Sequence, residues 1–185
     1  MKYCNYSGGA SGSDSIFETE GEKYSVKTVA YSFFGHNIKS KNKWVLTQQQ
    51  LSDGWEHILI TNKTLKRNIS NISPYVKNLL SRNWFQVRES DSIYAIGTLK
   101  SDHEILGGTG WAISMGIDNN KHIYVFEQNM NSWYEYSYDE NKFIKISYIP
   151  KLTENFAGIG TREINENGKN AIIELYRVNF NDNII

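Results

Sequence analysis

The chain has 185 residues, 39% hydrophobic and 14% aromatic, which is enough for one packed domain or one domain with an insertion. Its 20 basic and 20 acidic side chains balance, so composition gives no long-range attraction to nucleic acid or to an anionic membrane. The single cysteine, Cys4, excludes an internal disulfide and fits a reducing compartment; no apolar run approaches the ~20 residues of a membrane span, and the N-terminus lacks a signal-peptide core, so a soluble cytoplasmic protein is expected.

Residues 2–7 read as a first strand in which Cys4 is a core residue, and 13–23 as a helix with Gly21 as a fraying point near its end. Residues 25–34 carry the β-type side chains Val26, Val29, Tyr31, Phe33 and Phe34 and read as a second strand. A polar loop is expected from Gly35 through Lys43. Helical spacing of Leu51, Trp55, Ile58 and Leu59 then predicts a helix over 46–66 with Thr47 as cap. Pro74 fits the first turn of a further helix, capped by Ser73 and running to about Arg88.

The compact apolar run at 92–99 reads as a buried parallel strand, and 121–126 as another. Between them a glycine turn at 107–110 opens a helix over 111–117. Residues 131–148 alternate aromatic and polar about Asp139-Glu140-Asn141, the pattern of a β-hairpin. A short strand at 156–160 ends in glycine. A last helix is expected over 163–176, with Asn165 as cap, followed by a frayed tail at 179–185. Strands separated by helices predict an α/β domain with a parallel sheet, in which ligands bind beyond the carboxyl ends of the strands.

Three strands end in glycine-rich turns: Ser7-Gly8-Gly9-Ala10-Ser11-Gly12-Ser13-Asp14, Gly107-Gly108-Thr109-Gly110, and Gly158-Ile159-Gly160-Thr161-Arg162. Glycines let a backbone approach an anion closely, and the free N–H groups of a helix's first turn favour negative charge. The plain alternative for the first turn is a tight strand–helix connection capped by Ser13 or Asp14. Three such turns on one sheet edge favour a phosphate or nucleotide site.

Taken together the turns resemble the SLOG superfamily of Rossmann-like nucleotide-binding domains, in the order of its circularly permuted, YpsA-related branch. The similarity covers most of 2–35 and 78–176, leaving 36–77 as an added helical segment and 131–148 as an added hairpin. There is also similarity to short bacteriophage-encoded proteins, which implies the host cytoplasm as location and a counter-defence role. LOG-type members of the superfamily are phosphoribohydrolases, and other members bind ADP-ribose relatives. In the LOG pattern an arginine on a helix precedes Pro-Gly-Gly-x-Gly-Thr and a catalytic glutamate. Arg82 matches the arginine, and Gly107, Gly108 and Gly110 match the glycines. Leu106 stands for the proline, Trp111 for the threonine and Ser114 for the glutamate. A serine supplies no carboxylate to orient water or to stabilise a cation-like transition state. The resemblance therefore implies a binder of an ADP-ribose-like or cyclic ADP-ribose-like signal that does not turn it over. The alternatives are a phosphoribohydrolase with a relocated carboxylate (Asp14, Asp102, Glu104 or Glu127) and a protein-interaction module with a vestigial site.

The expected ligand-contacting residues are Ser7, Gly8, Gly9, Ala10, Gly12, Ser13 and Asp14 in the first turn, and Gly107, Gly108, Thr109, Gly110 and Trp111 in the second. Gly160, Thr161 and Arg162 complete the third, and His36, Asn37 and Arg82 approach from other elements. Each has a structural alternative: Asp14 as a helix cap, Arg82 in a surface ion pair, Trp111 in the core, His36 and Asn37 in a solvated loop. Gln128 is a further candidate for a base edge. No His, Cys or Asp cluster has metal-ligand spacing, so neither a metal nor a cofactor is expected. The aromatic hairpin is the candidate contact of a homodimer or larger homo-oligomer.

Overall fold

A computed structural model describes residues 2–180. Among them the chain forms β1 (Cys4–Ser7), α1 (Ser13–Lys23), β2 (Lys27–Phe33), β3 (Lys43–Leu46), α2 (Gln48–Leu65), α3 (Pro74–Glu89), β4 (Ser92–Gly97), α4 (Thr109–Asp118), β5 (His122–Glu127), β6 (Ser132–Ser137), β7 (Lys142–Lys145), β8 (Asn155–Gly160) and α5 (Glu166–Phe180). All eight strands join one sheet in the order β3-β2-β1-β8-β4-β5-β6-β7. The first six are parallel, and the hairpin β6–β7 adds antiparallel to β5. This is an α/β fold of mostly parallel, Rossmann-like type.

The alternation of side chains along the central strands makes the two cores. On β4, Ile93 and Ala95 point to one face, where Ile58 of α2, Val87 of α3 and Ile113 of α4 meet them. Tyr94 and Ile96 point to the other, against Phe17 of α1 and Ile172, Leu175 and Tyr176 of α5. All six residues of β4 are buried, as its uninterrupted apolar run implies. Burying one such large side chain contributes about 1.5–3 kcal/mol. Gly158 on β8 leaves room for the Phe17 ring, which a Cβ would meet at 2.5 Å.

The helix caps follow the sequence closely. Thr47 closes a capping box with Gln50 on α2, and Ser73 accepts the Val76 N–H at the start of α3. Asn165 accepts the Gly168 N–H at 3.0 Å and starts α5. Several boundaries differ from expectation. The second strand begins at Lys27, because Ser25 takes a left-handed turn conformation, φ 59°. Gly21 does not fray α1; it is buried, and Tyr176 Oη lies 3.2 Å from where its Cβ would be. The tail expected from 179 is helical through Phe180, and its remainder, 181–185, lies outside the described residues.

The segment 36–77 is not wholly helical: it contributes β3, a parallel edge strand. Only Leu46 of its four residues is buried, so no alternation marks it in the sequence. Residues 34–42 suffice for the return because β3 pairs only with the second half of β2, Ala30 opposite Lys43. The hairpin is present, but Trp133, Tyr136 and Phe143 are buried in this chain's own cores, leaving Tyr138 and Tyr148 exposed. Among the described residues no helix is long and apolar enough to cross a membrane.

Candidate functional site

From β1 the chain leaves into α1 on one face of the sheet; from β4 it leaves into α4 on the other. β8 lies between these two strands. Such a divergence opens a crevice at the carboxyl edge. A cleft of about 540 Å³ occupies it, lined by all three glycine turns: Ala10 and Asp14; Gly107, Gly108 and Thr109; Gly160, Thr161 and Arg162. The first turns of α1 and α4 open at this crevice. The N-cap residues are Gly12 and Gly108, and neither helix carries a side-chain cap, in contrast to α2 and α3. Neither Ser13 nor Asp14 is the cap of α1. The Ser13 hydroxyl donates to Thr161 O at 2.8 Å, and Asp14 accepts the Ala10 N–H at 3.3 Å, folding the first turn back on itself.

The fourth wall is a polar stripe on α3. Arg82, Asn83 and Gln86 are buried on a helix that also buries Ser81, Phe85 and Val87, and all three line the cleft. Arg82 is 6% exposed. Its guanidinium lies directly on Gly8, where any Cβ would overlap it and would also meet Gln86 Nε2 at 2.7 Å. Nη1 reaches Tyr31 O at the long distance of 3.5 Å, and Nε has no partner. An unpaired buried donor costs about 1–3 kcal/mol, more when charged. Burial pushes the Asp14 carboxyl above its usual range, opposed by the charge of Arg82 and by the N–H groups of Ala10, Gly8 and Gly160. Burial likewise lowers Arg82, with Asp14 acting against it.

A second cleft of about 690 Å³ adjoins the first and holds Gly9, His36, Asn37, Lys39 and Lys41. His36 is buried, stacked on Phe33 at 4.7 Å, with Nδ1 3.3 Å from Ser32 Oγ. Burial, then the charges of Arg82, Lys43 and Arg162, hold its pKa down at about 4. The sign for stability follows. The unfolded imidazole takes its proton near 6.5 and the folded one only near 4, so between these values the unfolded chain binds more protons. Stability is therefore lost as pH falls through that window, by about 2 kcal/mol after allowance for solvent screening. Urea melts above and below the window are expected to differ for the parent chain and to converge for His36→Gln. An undiminished slope in the variant would show that other groups carry the effect.

The structure brings twelve of the eighteen expected residues to one cleft or the other: Ala10, Asp14, Arg82, Gly107, Gly108, Thr109, Gly160, Thr161 and Arg162 line the first, and Gly9, His36 and Asn37 the second, which Ala10 and Arg162 also line. The others line neither. Ser7 is buried and accepts the Gly9 N–H at 3.1 Å; Gly8 and Gly12 are close-approach positions; Ser13 ties α1 to β8. Gly110 packs on the Ile105 carbonyl. Trp111 is 5% exposed within the core beneath α2, with the Arg67 guanidinium 5.4 Å from its ring centre. Gln128 does line the first cleft, but its amide already bonds Glu163 O and the Asn165 N–H, clamping the end of β5 to the start of α5.

Sequence reasoning passed over Asn83, Gln86 and Arg67. The first two had a signal: polar residues at the inward positions of an amphipathic helix, one and four places from Arg82. Arg67 follows α2 and holds the second glycine turn. It donates to Gly107 O at 2.7 Å and Ile105 O at 3.0 Å, and pairs with Glu104 at 2.8 Å. The added segment thereby anchors the turn. Arg67→Ala is expected to speed amide hydrogen exchange at 104–110 about tenfold or more, since each bond to the charged group contributes ~1.5–3 kcal/mol. Unchanged exchange there would mean that the turn holds itself.

The candidate replacement carboxylates are mostly occupied. Glu104 bridges Arg67 and Lys100, and Glu127 accepts the Met130 N–H at 2.5 Å inside a turn. Asp102 pairs with His103. Ser114 lies on α4 and does not line the cleft. Among the described residues no group of three or more His, Cys, Asp or Glu is arranged to hold a metal ion. Comparison of the chain with protein-family models, curated proteins and solved structures finds no match.

Proposed function

We propose that the chain binds a nucleotide-derived small molecule of the ADP-ribose type by its phosphate and holds it without turning it over. The observation that carries this reading is Arg82: a buried guanidinium whose Nε lacks a partner, at the floor of a cleft flanked by two helix N-termini that no side chain caps. A phosphate oxygen supplies the missing acceptor, and the two helix ends favour its charge. Membership of the circularly permuted SLOG branch is part of the proposal, supported by the three glycine turns sharing one sheet edge. Tight retention of a nucleotide signal would by itself remove the messenger. This is the role that the likeness to phage-encoded proteins suggests.

A second reading, a phosphoribohydrolase, is favoured by one observation: the Asp14 carboxyl lines the same cleft, and burial raises its pKa toward that of a general acid. Its bonding to the Ala10 N–H weighs against mobility in that role. Mass spectrometry of small molecules released on denaturing protein purified from cells that make nucleotide signals separates the two. An intact ADP-ribose-type compound is expected. Free base with ribose phosphate would favour the hydrolase. An empty protein with no thermal shift in ADP-ribose would contradict both.

A further inference from the structure

The second cleft is absorbed by neither the phosphate grip nor the chemistry above, and it is continuous with the first. Ala10 and Arg162 line both, and adjacent residues of the first turn of α3, Tyr75 and Val76, line one each. Their chemistry differs. The first combines Leu79, Leu80, Leu106 and Ala112, an apolar wall that suits a flat heterocycle, with the charged and amide groups of Asp14, Arg82, Asn83 and Gln86. The second is the more polar of the two, although Ala10, Ile38 and Tyr75 also line it. Ser15, Thr19 and Glu22 face it from the outer side of α1, and Asn37, Lys39 and Lys41 from the opposing loop. That loop is fastened to α1 by Glu18, which accepts from Ser40 Oγ at 2.5 Å and Asn42 Nδ2 at 3.0 Å. The polar cleft is thus a built feature and not an accident of a loose loop. Hydroxyls, an amide and a carboxylate around a small volume are the groups that bind sugar diols. Arg162 stands at the junction, where its charge acts on both Arg82 and His36.

We infer that the two clefts are one bipartite site for a two-ended ligand, a nucleoside diphosphate joined to a second sugar. The base lies against the apolar wall of the first cleft, the diphosphate sits at Arg82 and the first glycine turn, and the second sugar occupies the more polar cleft between α1 and the 36–41 loop. This rests on the phosphate-binding reading above and adds to it a reason for preferring a ligand larger than a mononucleotide. Each volume lies in the ~300–1,000 Å³ range of small-molecule sites.

Calorimetric titration with AMP, ADP and ADP-ribose tests it. ADP-ribose is expected to bind about tenfold more tightly than ADP, the gain from one or two added hydrogen bonds. Thr19→Trp, which fills the polar cleft from the exposed face of α1, is expected to bring the ADP-ribose to ADP ratio close to one; Lys39→Glu with Lys41→Glu serves as an independent variant should that one fail to fold. Equal affinity for ADP-ribose and ADP in the parent chain, or a ratio undiminished in the folded variants, overturns the bipartite site while leaving phosphate binding in place. Failure of all three nucleotides to bind overturns both.

Discussion

Replacing Arg82 with glutamine is expected to weaken ADP-ribose binding by about 100-fold, the equivalent of ~3 kcal/mol for losing a desolvated charged contact. The guanidinium is a buried charged donor at the cleft with an unused N–H, and a glutamine supplies neither the charge nor the fork. Arg82→Lys restores charge without the planar geometry and should recover only part of the loss. The fold is expected to survive, because α3 is anchored by the fully buried Phe85 and Val87 and not by Arg82, whose one protein bond is the 3.5 Å contact to Tyr31 O. Melting within roughly 5 °C of the parent, beside the loss in calorimetry, would separate a ligand-binding role from a structural one. Binding undiminished in Arg82→Gln would remove the residue from the site.

The second large effect concerns Gly12. It sits at φ 90° and ψ −130°, a conformation open essentially only to glycine. Its missing side chain is also where Arg162 passes: a Cβ would meet the Arg162 Cα and O at 2.6 Å and Thr161 O at 2.7 Å. The first and third glycine turns are thus in backbone contact here, and Ser13 adds its N–H and hydroxyl to the same Thr161 carbonyl. Gly12→Ala combines strain with a backbone collision that no rotamer relieves, and should cost about 3 kcal/mol. That corresponds to roughly 10 °C in melting temperature for a chain of this size. Gly35→Ala is the control, since Gly35 also has positive φ, 83°, but nothing within 4 Å of a Cβ. It should cost only about 1–2 kcal/mol. Equal melting of the two variants would mean that the turns are not braced against one another.

Much of this architecture is written locally. Thr47, Ser73 and Pro74 mark helix starts because capping and the proline ring act over three or four residues, and the uninterrupted apolar run of β4 marks a strand covered on both faces. The glycine turns could be found because their φ requirements are local too. What remained hidden depends on partners distant in sequence. β3 exposes three of its four residues and exists only through pairing with β2. Arg67 is an unremarkable loop residue until folding sets it against a turn 40 residues away. Trp111 follows a glycine turn exactly as a stacking residue would, but the apolar face of α4 turns it into the core with Ile58 and Ile113. Asn83 and Gln86 were legible in principle: their polarity breaks the inward stripe of α3, and a polar residue at a buried helix position asks for a partner.

Phosphorus and proton NMR of the protein with stoichiometric ADP-ribose test the central claim most directly, because together they report binding and both base release and phosphate cleavage in one sample. Both diphosphate resonances should shift and broaden, stay shifted over prolonged incubation without any new phosphorus signal, and return to their free positions when the protein is denatured. Resonances identical to those of free ADP-ribose would contradict binding, and a growing free-adenine proton signal, or a monoester or inorganic phosphate signal, would contradict retention without turnover.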